Sequence, residues 1–228
     1  MTCEELEKRV CRVRRELEGA AEGRWPVPKL IAMTKTHSAE EILPLSRIGV
    51  TAIGENRVQE LKGKLPDLRG HFEIHMIGRL QRNKVRQIIN DVCMIQSVDS
   101  IGLAEEINIR AMAAERLMDV LVQVSPAGEE QKGGVLFEET EAFLKQIAPL
   151  DGIQVRGLMA VMPLTNDEEY LDGLFTKTRE LFDRLRERSL NRIKMEELSM
   201  GMSGDYRLAA AHGATMVRVG SAIFGPRV

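Results

Sequence analysis

Lys29-Leu30-Ile31-Ala32-Met33-Thr34-Lys35-Thr36-His37-Ser38-Ala39-Glu40-Glu41-Ile42 is the stretch that decides the architecture. Its first six residues are short and nearly continuously apolar, as a strand covered on both faces must be. The breaker run Gly23-Arg24-Trp25-Pro26-Val27-Pro28 precedes it, and the apolar pattern stops at Lys35. Ser38 and Glu41 then stand at capping-box spacing, and Ile42 and Leu45 supply the apolar face of a helix. The stretch is one βα unit.

Outward from this unit the alternation repeats. Strands are expected at Val50 to Gly54, Phe72 to Ile77, Val92 to Ser97, Asp119 to Val124, Val155 to Met159, Glu197 to Met200 and Thr215 to Val219. Helices are expected through Glu55 to Lys64 and from about Leu80 to Ile89. Further helical faces lie at Ile101, Ala104 and Ile107, at Leu136, Phe143 and Ile147, and at Leu171, Leu174, Phe175 and Leu181. An opening helix runs to about Gly19, with Thr2 and Glu5 at capping-box spacing and Leu6, Val10, Val13 and Leu17 at helical intervals. Eight strands at a spacing of roughly 28 residues match a βα repeat, and no linker or low-complexity tract divides the chain. The expected fold is α/β: a single (β/α)8 TIM-type barrel over residues 1–228 with an extra N-terminal helix. That helix fills the place of a final helix, because little chain follows the eighth strand.

The 228 residues are 43% hydrophobic and 29% charged, enough apolar material for a large core. With 32 basic and 34 acidic residues the net charge is -2, so no global field draws the chain to nucleic acid or anionic lipid. No apolar run approaches the ~20 residues a membrane span needs, and the acidic start is no signal peptide. A cytoplasmic protein is expected. Cys3, Cys11 and Cys93 lack paired spacing, which argues against disulfides and a zinc site. A monomer is the default, because no long exposed apolar helix demands a partner.

In such a barrel the active site lies at the C-terminal ends of the strands, with a phosphate site commonly behind strands seven and eight. Lys35 ends the first strand, where apolar walls would favour a nucleophilic amine; a solvated strand-end lysine is the bland alternative. Leu198 to Asp205 passes from a strand through small residues, so backbone N–H groups and Ser203 can receive a phosphate. One strand later, Gly220 and Ser221 form a second small-residue turn. Helix caps and tight turns are the competing reading of both. Neither turn matches a nucleotide-binding motif. Arg218 alternates with Val217 and Val219, which sets it inside the barrel, facing either a structural carboxylate or a ligand's ring nitrogen or anion. A guanidinium against a pyridine nitrogen would leave that ring unprotonated. Asn56 follows the second strand, where it could reach a ligand while Glu55 and Glu60 order neighbouring cations; a polar first helical turn is the competing and, on these residues alone, favoured reading. His75 lies on the third strand and shares parity with His71, but no third metal ligand is evident, so no metal is expected. Glu129 to Gly134 reads as a mobile loop over the mouth, with Lys132 a solvated charge.

Six segments taken in order resemble the pyridoxal phosphate homeostasis protein family, small single-domain relatives of the alanine racemase barrel. They are I-A-M-T-K-T at 31–36, G-E-N-R-V-Q-E at 54–60, H-M-I-G-R-L-Q-R-N-K at 75–84, G-L-M-A-V-M-P at 157–163, L-S-M-G-M-S at 198–203 and M-V-R-V-G-S-A-I-F-G at 216–225. The chain departs from the family pattern at Arg57, Arg79, Arg82 and Gln123. The resemblance implies that Lys35 carries an aldimine with pyridoxal 5'-phosphate (PLP). It also implies that Ser203, Gly220 and Ser221 hold the phosphate, that Arg218 faces the pyridine nitrogen, and that Asn56 and His75 lie beside the ring. The function it implies is PLP homeostasis by a carrier without catalytic turnover, with PLP-dependent apoenzymes as recipients. The alternative is an amino-acid racemase. In alanine racemase relatives the second acid–base group is a tyrosine on an additional C-terminal domain; this chain stops at Val228 with Tyr170 and Tyr206, which favours the carrier.

Overall fold

A computed structural model describes residues 2–129, 132–188 and 192–226. Eight parallel strands close a barrel. They are β1 (Lys29–Met33), β2 (Ala52–Glu55), β3 (Glu73–Met76), β4 (Met94–Val98), β5 (Met118–Ser125), β7 (Ile153–Ala160), β8 (Ile193–Ser199) and β9 (Met216–Val219). A two-residue strand, β6 (Val135–Leu136), pairs with the end of β5 outside the ring. β1 pairs with both β2 and β9, and the β4–β5 pairing completes the circle. The TIM-type barrel read from the sequence is the observed fold.

Alternation along each strand divides the apolar residues into two groups. Leu30, Ala32, Ile53, Ile74, Met76, Ile95, Val120, Leu158 and Val217 face outward into one large core shared with the helices. Ile31, Met33, Ala52, Met94, Leu121, Met159 and Met216 form a smaller cluster within the barrel. β7 carries a bulge at which both of its ladders shift register between Val155 and Gly157. Gly157 has φ +151°, and a Cβ there would lie 1.8 Å from the Glu197 carbonyl oxygen. Glycine is required at that approach.

The helices are α1 (Cys3–Ala21), α2 (Ala39–Ile42), α3 (Pro44–Arg47), α4 (Val58–Leu68), α5 (Ile101–Ala113), α6 (Thr140–Ile147), α7 (Glu168–Arg186), α8 (Tyr206–Ala211) and α9 (Ser221–Phe224). Both expected capping boxes form, Thr2 with Glu5 and Ser38 with Glu41. The helix after Ser38 is split, because Pro44 brings no N–H to continue the ladder and instead starts α3 at its first position. The expected helix from Leu80 to Ile89 is a 3-10 segment, Arg82–Gln87. Four cations at 79, 82, 84 and 86 crowd it, and its buried Val85 and Ile88 are three residues apart, the 3-10 spacing. Leu136, expected on a helix, lies in β6 instead, and the helix starts at Thr140.

α1 joins the outer ring of helices with Leu6, Val10, Val13 and Leu17 buried, packed against α8 and α9. Arg9 and Arg12 donate to the carbonyls of Ile223 and Ala222 at 3.4 and 3.2 Å, and Tyr206 bonds Glu16. The opening helix thus occupies the place expected for it. Among the described residues no helix is long and apolar enough to cross a membrane.

Candidate functional site

Thr34, the residue after β1, is fully buried and clamps the turn that carries Lys35. Its hydroxyl donates to Glu55 Oε1 at 2.6 Å, and its carbonyl accepts from Lys64 Nζ at 2.9 Å. Lys64 also pairs with Glu55 at 3.0 Å, balancing a carboxylate that has no exposure. On the other side of Lys35, Thr36 sits at φ +71°, a left-handed conformation unfavourable for a β-branched residue. Its N–H donates to Glu60 Oε2 at 3.1 Å, and Glu60 in turn pairs with Arg57 at 3.4 Å. Glu55 and Glu60 therefore order cations as expected, and together they fix the backbone on both sides of Lys35.

The two small-residue turns meet. Arg218 N donates to Gly201 O at 2.9 Å, joining the end of β9 to the turn after β8. Ser203 Oγ accepts from Gly220 N at 3.0 Å and from Ala222 N at 3.3 Å. Asp205 fixes its own turn by accepting from Met202 N at 2.5 Å. Hydroxyl and amide groups from the last two strands of the ring thus converge at one edge of the barrel mouth.

Arg218 is 2% exposed and points inward, as strand parity requires. Its partners are neutral: Nη1 donates to Ser199 Oγ at 2.8 Å and Nη2 to Ala160 O at 2.7 Å. Burial lowers its pKa to about 10, opposed by the field of Asp205, so it keeps its charge at neutral pH. The Ser199 hydroxyl donates to Gln96 Oε1 at 2.7 Å, and the Gln96 amide nitrogen lies 3.0 Å from His75 Nδ1. A buried chain of hydrogen bonds therefore runs Arg218–Ser199–Gln96–His75. Burial holds His75 neutral, with a pKa of about 4.

Lys35, Asn56, Ser203, Arg218, Gly220 and Ser221 all line one cavity of about 400 Å³ at the C-terminal ends of the strands. A Cβ on Gly78 would lie 2.3 Å from Asn56 O, so a glycine is needed for β3 to leave the barrel beside Asn56. His75 is not in the cavity lining. The resemblance implied a place beside the ring; His75 lies inside the barrel three hydrogen bonds from Arg218, with Gln96 and Ser199 between. Lys132, read as a solvated charge, reaches the cavity instead. It donates to Met162 O at 3.1 Å and pairs with Glu129 at 2.7 Å, while its carbonyl accepts from Gln123 at 2.8 Å. Glu130 and Gln131 of the same loop lie outside the described residues.

His37 also lines the cavity, stacked on Phe224 with ring centroids 4.0 Å apart. No sequence signal marked it, since its partner is 187 residues away. Gln96 and Ser199 were detectable in principle as polar residues at inward positions of buried strands.

Residues 5–228 match the family described as alanine racemase, N-terminal domain. The chain is 39% identical over 226 residues to the pyridoxal phosphate homeostasis protein of Aquifex aeolicus, covering 99% of this chain and 98% of that one. A crystal structure of an unknown protein from Bifidobacterium adolescentis superposes with a TM-score of 0.91 at 36% identity, covering 97% of this chain and 95% of that one. PipY of Synechococcus elongatus, solved with PLP bound, gives a TM-score of 0.86 at 33% identity, covering 96% and 100%.

Proposed function

The chain belongs to the pyridoxal phosphate homeostasis protein family, and from that membership we propose that it binds PLP in this cavity, with Lys35 as the amine that engages the cofactor. Its role is PLP homeostasis: it holds the cofactor, limits the free aldehyde and yields it to apoenzymes that require it. When bound, PLP supplies an aldehyde that condenses reversibly with a primary amine, losing water, and a pyridine ring that absorbs in the near-ultraviolet and visible.

One observation carries the reading: a single cavity of about 400 Å³ brings together a lysine, a hydroxyl-and-amide turn and a buried guanidinium. These donors fit the group, because an anionic phosphate suits N–H and hydroxyl donors and an aldehyde suits an amine. The volume falls within the range of small-ligand pockets. Ser203, Gly220 and Ser221 bind the phosphate. Met33, Ile77 and Met159 in the lining exclude water from the ring and from Lys35 Nζ. Arg218 would face the ring nitrogen of a bound cofactor, where its fixed charge would discourage protonation. Asn56 contacts the ring's edge. His75 acts at a distance, accepting from Gln96 and so helping to hold Ser199 and Arg218 in register.

An arginine-paired ring suits a racemase as well as a carrier; what favours the carrier is that, among the described residues, no tyrosine lines the cavity to serve as a second acid–base group. The relatives are named for homeostasis rather than for turnover.

The test is borohydride reduction of the PLP-loaded protein followed by peptide mass spectrometry. One equivalent of reduced cofactor on Lys35 is expected, and Lys35→Ala should lose the absorbance band while keeping its far-ultraviolet circular dichroism. Label on another lysine, or a band that survives in Lys35→Ala, overturns the assignment. Rapid interconversion of alanine or serine enantiomers by the loaded protein would replace the carrier with the racemase.

A further inference from the structure

The opposite end of the barrel holds a second cluster, none of whose members lines the cavity. Glu73 opens β3, His75 follows two residues later on the same inward parity, and Cys93 immediately precedes β4. One donor atom from each of the three lies within 4.8 Å of the others. His75 is 2% exposed, and its Nε2 has no hydrogen-bond partner. A buried imidazole nitrogen without a partner is costly, because it has left water and gained nothing in exchange. Its other nitrogen is taken by Gln96, so the unpartnered one faces away from that amide.

We propose that Glu73, His75 and Cys93 form a binding site for a divalent cation of the zinc class at the floor of the barrel. The donor set selects the metal. A sulfur, an imidazole and one carboxylate oxygen suit a borderline-soft, tetrahedral ion and not magnesium or calcium, which take oxygen ligands. Three protein ligands leave the fourth position to water. Donors around a tetrahedral zinc lie roughly 3.5 Å apart given its bond lengths, so a contraction of about 1 Å completes the set. Glu73 is exposed and Cys93 half-buried, so both side chains have room to make it.

Neighbouring groups fit the same ion. Lys29 Nζ occupies Glu73 Oε2 at 2.7 Å, which leaves Oε1 for the metal and orients the carboxylate. Cys93 Sγ lies 3.3 Å from Ile74 O. As the sulfur–metal bond forms, the thiol proton leaves to solvent. With the metal on Nε2 the imidazole proton moves to Nδ1, and the Gln96 amide turns over so that its oxygen accepts from Nδ1–H while its N–H donates to Ser199 Oγ, whose hydroxyl proton then rotates away from Gln96. An outer amide fixing the ring of a ligating histidine is the usual support of such sites. The Glu73 N–H bonds Thr51 O at 2.9 Å, and the exposed Glu73 side chain puts the cluster in contact with solvent.

The three donors lie outside the cavity lining, so the site is tested on the full chain without added cofactor, with cobalt(II) as the probe. One equivalent should produce visible tetrahedral bands and a near-ultraviolet sulfur-to-cobalt band, both erased by zinc. Cys93→Ser should lose the sulfur band, and Glu73→Gln should weaken binding about tenfold or more. The Cys3→Ser, Cys11→Ser double variant, altered at exposed thiols of α1, should keep both bands. The His75 Nδ1–H resonance should be displaced by the paramagnetic ion. Absence of tetrahedral bands, a sulfur band that survives in Cys93→Ser, or one lost from the double variant overturns the proposal.

Discussion

Ser199 stands between two groups that have no substitute partner. It accepts from Arg218 Nη1 and donates to Gln96 Oε1, and all three side chains are buried. Ser199→Ala leaves a guanidinium N–H and an amide oxygen unsatisfied, which should cost about 1–3 kcal/mol in denaturant unfolding. It should also weaken PLP binding, measured by absorbance titration, because Arg218 loses one of its two anchors. Unchanged affinity would show that the network does not position Arg218. Asp205 makes a separate case. Burial raises its carboxyl pKa above the ordinary range, outweighing the Met202 N–H and the field of Arg218. A folded value above the unfolded one means the native state binds the proton more tightly, so ionisation of Asp205 costs stability as pH rises through the carboxylate range. Asp205→Asn should therefore gain in thermal midpoint over the parent as pH rises from about 3 to about 7. A gap that shrinks with pH would contradict this. At this scale parity gave the inward turn of Arg218, and strand ends gave Lys35. Depth was not legible: parity says inside or outside, while the layer His75 occupies depends on the stagger of neighbouring strands.

Elements were legible where a local rule acted alone. The two capping boxes are short-range hydrogen-bond patterns, and both formed. Ser38→Ala removes the cap of α2, next to the Lys35 turn, and should cost about 1 kcal/mol in chemical denaturation. The 3-10 segment Arg82–Gln87 was read as an α-helix because its apolar residues suit either spacing, and its clustered cations tip the balance. The bulge in β7 was invisible for another reason. Gly157 is a glycine because Glu197 passes against it, a contact set by strand pairing across 40 residues. Gly157→Ala should destabilise by about 3 kcal/mol or more, the strain of φ +151° adding to the clash. A thermal midpoint equal to the parent's would mean that the backbone yields there.

For the molecule as a whole, the count of eight strands and the place of the opening helix followed from chain length between apolar runs, and both are observed. What joins α1 to α8 and α9 was not legible, since Arg9, Arg12 and Glu16 look like ordinary solvated charges in a helix. Removing α1 would bare the surface that Leu6, Val10, Val13 and Leu17 cover, each worth about 1.5–3 kcal/mol. Their sum, on the order of 8 kcal/mol, is comparable to the whole stability of a typical domain. A chain lacking residues 2–21 should therefore lose its single cooperative unfolding transition. Retention of that transition would show that the barrel stands without its cover.

Closure of the ring through β1 and β9 also constrains the order of events during synthesis. β1 is complete at residue 33, yet one of its two neighbours is not translated until residue 216. On the ribosome the nascent chain carries an unpaired, hydrophobic flank for nearly the whole of elongation, a state prone to chaperone capture or to pairing with another polypeptide. Native assembly waits for β9, and arrest peptides placed at successive lengths should register a folding force on the ribosome only after β9 has cleared the exit tunnel.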